Sequence, residues 1–236
     1  MDPLVAFLPG FAQRGAAWEP VAQRVAERYR SVCVDFGSWS FDGRLYELAS
    51  RVDDGDVVVG YSMGGRLALR AALRRPTRFG AIVLVGTAAG IEDETQRLAR
   101  KRADEELADW IEAHTIEEFA ERWESQPVFA SQPPELVEAQ RPGRLSHEPA
   151  KLAQLLRSAG QGAFEPVWHR LEEIDCPVLA IAGELDTRYA DAAFRIAERV
   201  KQGRARLVQG AGHAPQLERP AETAELLLDF LDQHLG

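Results

Sequence analysis

The chain reads as an α/β fold: a mostly parallel sheet flanked by helices, with a helical cap inserted after the fourth strand. Three observations predict it. Apolar strand-like runs alternate with amphipathic stretches of helical period, and such alternation builds a parallel sheet covered on both faces. The third strand-like run ends in a tight Gly-x-Ser-x-Gly turn with a helix pattern directly behind it. Between residues 88 and 170 the alternation stops, and the sequence turns charged and helical.

The strand candidates are 4–8, 31–36, 57–61, 81–86, 177–183 and 205–209. The run Ala81-Ile82-Val83-Leu84-Val85 is apolar throughout, as a central strand buried on both faces must be. Helical patterns fall at 17–29, 43–53, 64–74, 190–201 and 221–234, and Pro76 stops the third of them. In the inserted part, 91–113 reads as one or two helices. Thr115, three residues before Glu118, is a capping-box candidate for the next. Pro127, Pro133, Pro134, Pro142 and Pro149 cut the remainder into short pieces. The division expected is therefore a core of 1–87 and 171–236 with a cap of 88–170 over the mouth of the site.

Composition narrows the function. At 236 residues and 45% hydrophobic, the chain can bury one domain-sized core. A net charge of −9 argues against nucleic acid or an anionic membrane as partner. Cys33 and Cys176 lie in or beside strand-like runs and read as buried thiols rather than a disulfide. No leader pattern and no bilayer-length apolar run is visible, so the expected location is the cytoplasm. Three of the 28 basic residues are lysines, a bias that makes no single arginine notable by itself.

The chemistry centres on Gly60-Tyr61-Ser62-Met63-Gly64. A strand that turns this sharply into a helix lifts one hydroxyl above the sheet edge and sets it at a helix N-terminus, where unpaired N–H groups favour negative charge. A serine hydroxyl is a weak nucleophile and base, so it needs a partner that titrates near neutrality. His213 lies just past the strand candidate 205–209, and Asp186 just past 177–183. Open α/β sheets place their sites at those strand ends. Asp186 would fix the imidazole tautomer and stabilise the imidazolium. Asp35 and Glu184 are rival acids; His114, His147, His169 and His234 lack the strand-end setting. The backbone N–H groups of Phe11, after the first strand, and Met63, after the serine, form the expected oxyanion hole.

These motifs resemble the α/β-hydrolase superfamily across the whole chain. Within it, the chain is most similar to the MenH family of 2-succinyl-6-hydroxy-2,4-cyclohexadiene-1-carboxylate synthases. The elbow closed by Arg66 carries the resemblance, with Gly90-Ile91-Glu92-Asp93, Arg97-x-x-Arg100-Lys101-Arg102-Ala103-Asp104 and Phe119-Ala120-Glu121-Arg122-Trp123. Gln126-Pro127-Val128-Phe129-Ala130, Arg141 and Gly160-Gln161-Gly162 complete it. Two features depart from the pattern. Pro9 stands where a histidine is usual, and 34–39 lacks the Asp-x-Pro-Gly-x-Gly turn frequent in the superfamily.

The resemblance implies a lyase that eliminates pyruvate from a cyclohexene tricarboxylate, with no cofactor and no metal. It implies substrate binding by Tyr61, Arg66, Arg100, Trp123 and Arg141, with Arg102 as a neighbour. Physical chemistry agrees with arginines there: a chain of net charge −9 needs local cations to hold a polyanion, and a guanidinium pairs bidentately with a carboxylate. A serine carboxylesterase, lactonase or C–C hydrolase on the same scaffold is the competing expectation. A ligand-binding protein without catalysis is the second, and it has no use for a polarised serine.

Overall fold

The computed structural model describes residues 3–235. Six strands form one sheet among the described residues: β1 (Val5–Leu8), β2 (Ser31–Cys33), β3 (Val57–Tyr61), β4 (Ala81–Val85), β5 (Val178–Gly183) and β6 (Gly203–Val208). Their order is β2-β1-β3-β4-β5-β6, and every pairing is parallel. The sheet is thus wholly parallel among these residues, where a mostly parallel one was expected.

The helices are α1 (Glu19–Val25), α2 (Phe41–Arg51), α3 (Met63–Arg74), α4 (Glu94–Glu112), α5 (Ile116–Glu124), α6 (Pro134–Leu145), α7 (Pro149–Ala159), α8 (Thr187–Arg199), α9 (Pro215–Glu218) and α10 (Pro220–Leu235). Alternation along the strands sorts side chains to the two faces. Ala6, Leu8, Val58, Ile82, Leu84, Ala180 and Ala182 point to the face covered by α2, α3 and α8. Val5, Phe7, Val59, Val83, Val85 and Ile181 point to the other, covered by α1 and α10. The Trp18 indole anchors that second layer by donating to the Leu8 carbonyl at 2.9 Å.

Element ends follow local chemistry. The expected strand 31–36 shortens to Ser31–Cys33, an edge strand paired with β1 alone. Asp35 then turns away to accept the Gly15 N–H at 2.8 Å. The expected helix 17–29 divides into a 3-10 turn at Gly15–Trp18 and α1. Thr115 and Glu118 form the capping box at α5 in both directions, at 3.2 and 2.8 Å.

The stretch between β4 and β5 carries α4 to α7 and, among the described residues, no strand. It has a small core of its own, with Ala108, Ile111, Phe119, Leu152, Ala153 and Leu156 packed together with Ala12. Leu155 and Ala159 on α7 face the opposite way, into the main core, and dock the stretch on the sheet layer. No helix among the described residues is long and apolar enough to cross a membrane. Both cysteines are free, Cys176 buried and Cys33 half-buried, and burial raises each thiol to about 11.

Candidate active site

The turn from β3 to α3 holds Ser62 at φ 48°, ψ −105°, a left-handed conformation that a non-glycine residue adopts only where its surroundings impose it. The constraint is visible on both sides. The Ser62 N–H donates to the Val85 carbonyl at 2.8 Å, and the Thr87 hydroxyl donates to the Ser62 carbonyl at 3.0 Å. A methyl group on Gly60 would come within 2.4 Å of the Gly64 carbonyl oxygen, and one on Gly64 within 2.4 Å of the Leu8 carbonyl oxygen. Glycine is the residue that lets strand, turn and β1 approach this closely.

His213 follows β6, and Asp186 follows β5. Asp186 Oδ2 lies 2.7 Å from His213 Nδ1, with both side chains largely buried. The same carboxylate caps α8 by accepting the Tyr189 N–H at 3.4 Å, so the helix start and the imidazole share one anchor. Asp35 and Glu184 are occupied elsewhere: Asp35 on Gly15, Glu184 on the Gly210 N–H at 3.0 Å. The Ser62 hydroxyl makes no hydrogen bond among the described residues. Such contacts commonly tighten only when substrate binds. The N–H groups of Phe11 and Met63 are likewise without an internal acceptor among the described residues.

Above Ser62 lies a cavity of about 470 Å³. Ser62, Asp186, His213, Phe11, Met63, Tyr61, Arg66, Arg100 and Trp123 all line it. Tyr61 is buried beside His213, ring centroids 5.4 Å apart, and its phenol is held well above its ordinary value, first by burial. Trp123 packs on Phe11, Phe119 and Phe129 to make an aromatic wall.

Arg66 reaches the cavity from α3, one turn beyond Ser62. Its Nη2 donates to the Ala159 carbonyl at 2.6 Å, and its Nε has no partner among the described residues. Burial, with Arg100 nearby, lowers the guanidinium to about 10 despite the opposing influence of Tyr189 and Asp104. A desolvated cation beside another cation is a setting that an anion relieves. Arg100 is aimed by the buried carboxylate of Asp104, Nε to Oδ1 at 2.7 Å.

Arg141 is not brought to the cavity. It lies outside the cavity wall and is engaged by Glu124 at 2.5 Å and Glu121 at 3.4 Å. Arg144, three residues further along α6, reaches the wall instead. It is buried, donates to Glu124 and Gln140 at 3.1 and 3.0 Å, and burial lowers its guanidinium from the ordinary value. Arg102 is exposed on α4 and also outside the wall. Sequence reasoning also missed Gln13, Arg188 and Tyr189, which line the cavity without any local motif to mark them; Gln161, quoted only within Gly160-Gln161-Gly162 and given no role, lines it too. Among the described residues no cluster of three His, Cys, Asp or Glu side chains is arranged to hold a metal.

A serine elbow after β3, an Asp-held imidazole past the ends of β5 and β6 and, among the described residues, a wholly parallel sheet define an α/β hydrolase. Residues 5–226 match the alpha/beta hydrolase family model, and the chain belongs to that family. The chain is 36% identical over 177 residues to a provisionally named 2-succinyl-6-hydroxy-2,4-cyclohexadiene-1-carboxylate synthase of Bacillus subtilis (strain 168), covering 74% of this chain and 65% of that protein. It is 26% identical to Protein PHYLLO, chloroplastic, of Arabidopsis thaliana, and spans 15% of that much longer protein. A 2-succinyl-6-hydroxy-2,4-cyclohexadiene-1-carboxylate synthase of Salmonella schwarzengrund (strain CVM19633) is 25% identical, over 97% of this chain and 94% of its own. Among solved structures, MenH from S. aureus superposes with a TM-score of 0.90 at 29% identity, covering 99% of this chain and 95% of that one.

Proposed function

We propose that this protein eliminates pyruvate from 2-succinyl-5-enolpyruvyl-6-hydroxy-3-cyclohexene-1-carboxylate to give 2-succinyl-6-hydroxy-2,4-cyclohexadiene-1-carboxylate, a step of menaquinone biosynthesis. One observation carries the reading beyond the family: the cavity lined by Ser62 and His213 is also lined by four arginines, Arg66, Arg100, Arg144 and Arg188. Cations therefore line the cavity in which three carboxylates must bind. An esterase for uncharged substrates gains nothing from desolvating guanidiniums beside its nucleophile.

In this mechanism His213, steadied by Asp186, takes the Ser62 proton as Ser62 oxygen removes the ring proton alpha to the succinyl ketone. Charge moves onto the ketone oxygen, where the N–H groups of Phe11 and Met63 stabilise it. The electrons then pass through the ring alkene and break the C–O bond to the enolpyruvyl group. That group leaves, is protonated, and ends as pyruvate. No bond forms between enzyme and substrate. Tyr61 and Trp123 shape the pocket around the ring, and residues 88–170 act as the cap that brings Arg100 and Arg144 over the serine. The setting proposed for this chemistry is the cytoplasm.

The deciding experiment measures pyruvate release from the cyclohexene substrate in parallel with aryl-ester hydrolysis. Pyruvate release with slow ester turnover is expected. Fast ester turnover without pyruvate would instead assign a hydrolase.

A further inference from the structure

Among the described residues the His213 ring has one hydrogen bond, from Nδ1 to Asp186. A single bond at one nitrogen leaves the ring able to swing about it, so packing decides where Nε2 points. Three aromatic rings surround the imidazole, and Tyr189 is the nearest, with centroids 4.5 Å apart against 5.4 Å for Tyr61 and 6.4 Å for Phe129. Tyr189 is tied at its backbone to Asp186 and at its tip to Gln161, whose Nε2 lies 2.6 Å from the phenolic oxygen. The amide orientation is set by chemistry. Arg188 Nη2 lies 3.4 Å from Gln161 Oε1, and a guanidinium only donates. Gln161 therefore donates to Tyr189.

The turn that carries Gln161 is itself braced by the anion site. Just before it, the Ala159 carbonyl accepts from Arg66. Just after it, the Gly162 N–H donates to Asp104 at 3.4 Å, and Asp104 holds Arg100. Gln161 thus joins the arginine cluster to the packing around the imidazole.

We propose that Gln161 is a positioning residue: acting through Tyr189, it sets the plane of the His213 imidazole and aims it at Ser62. The inference rests on His213 being the proton acceptor of the reaction above. Gln161→Ala and Tyr189→Phe should each lower kcat about tenfold, with KM changed less than about twofold, since small misalignments of a catalytic group are costly. The double variant should lose no more than either single one. Gln161→Glu should recover most of kcat, because its carboxylate can accept from the Tyr189 hydroxyl, while raising KM by adding negative charge to an anion pocket.

A second readout needs no substrate. In the 15N-histidine-labelled protein, the His213 Nδ1 proton should shift or broaden in Gln161→Ala and Tyr189→Phe and stay unchanged in Gln161→Glu. Unaltered His213 resonances, or kcat losses that multiply in the double variant, overturn the proposal. If the unsubstituted protein releases no pyruvate, the lyase reading falls, and the His213 resonance still decides the role of Gln161.

Discussion

Ser62 and Arg144 make the most direct demands at the scale of single residues. Ser62→Ala removes the oxygen that takes the ring proton and leaves the elbow backbone intact. Pyruvate release should drop by at least about 1,000-fold with an unchanged circular dichroism spectrum. Arg141 and Arg144 share Glu124, yet Arg144 alone of the two faces the cavity. Arg144→Gln should cost about 10- to 100-fold in kcat/KM, the loss of one charged hydrogen-bonding partner. Arg141→Gln should stay within about threefold, as expected for a partly exposed ion pair. Steady-state kinetics of the two variants settles which arginine serves the substrate; equal losses would return Arg141 to the site. The contrast also marks a limit of the sequence. Both arginines carry the same charge on the same helix, and which one meets the cavity depends on how α6 turns toward α5.

At the scale of elements, the strands and the elbow were legible because their patterns are local: apolar runs, turn glycines and caps such as Thr115 with Glu118. The edge strand β2 is shorter than its apolar run suggests: Val34 still donates to the Phe7 carbonyl at 2.9 Å, but beyond it the chain leaves the sheet and Phe36 is buried in the main core without strand pairing. Arg188 and Tyr189 carry no local signal, since they open α8 beyond β5 and meet Gln161, near the end of the stretch between β4 and β5, only in the fold. The turn between α6 and α7 offers another test of packing over pattern. There His147 is buried edge-on against Trp39 at 5.6 Å, and neither ring nitrogen has a partner of good geometry among the described residues. Burial, Arg14 and Arg44 lower it to about 4, outweighing the Ala12 backbone and Asp35. The unfolded chain therefore binds a proton near pH 6.5 that the folded chain refuses until about pH 4. Stability should fall as pH drops through that window, by up to about 3 kcal/mol from this one group, and level off below it. His147→Phe keeps a ring against Trp39 and removes the titration. Urea unfolding at pH 7.5 and 4.5 should show a smaller acid loss in the variant; the same loss in both would assign the acid limb to other groups.

For the whole molecule, the question is how a chain of net charge −9 holds a trianion. The long-range field repels it, and at physiological salt that field is screened beyond about 8 Å. What remains is the cavity, where Arg66 comes from α3, Arg188 from α8, and Arg100 and Arg144 from the helical stretch between β4 and β5. An anion bound there touches both layers at once. It also relieves the desolvated guanidinium of Arg66, which the unfolded chain does not possess. Binding to the folded state alone raises stability by mass action, about 2.7 kcal/mol at a hundredfold excess over Kd. For a chain of this length that corresponds to a rise in Tm of roughly 5–10 °C. Citrate is a suitable inert tricarboxylate, with acetate at matched ionic strength as the control for screening. Citrate should raise Tm and acetate should not, and Arg66→Ala combined with Arg100→Ala should abolish the difference. Equal shifts from both anions would mean that these arginines act as separate charges, and the cavity would then lose its claim to recognise a polyanion as a unit.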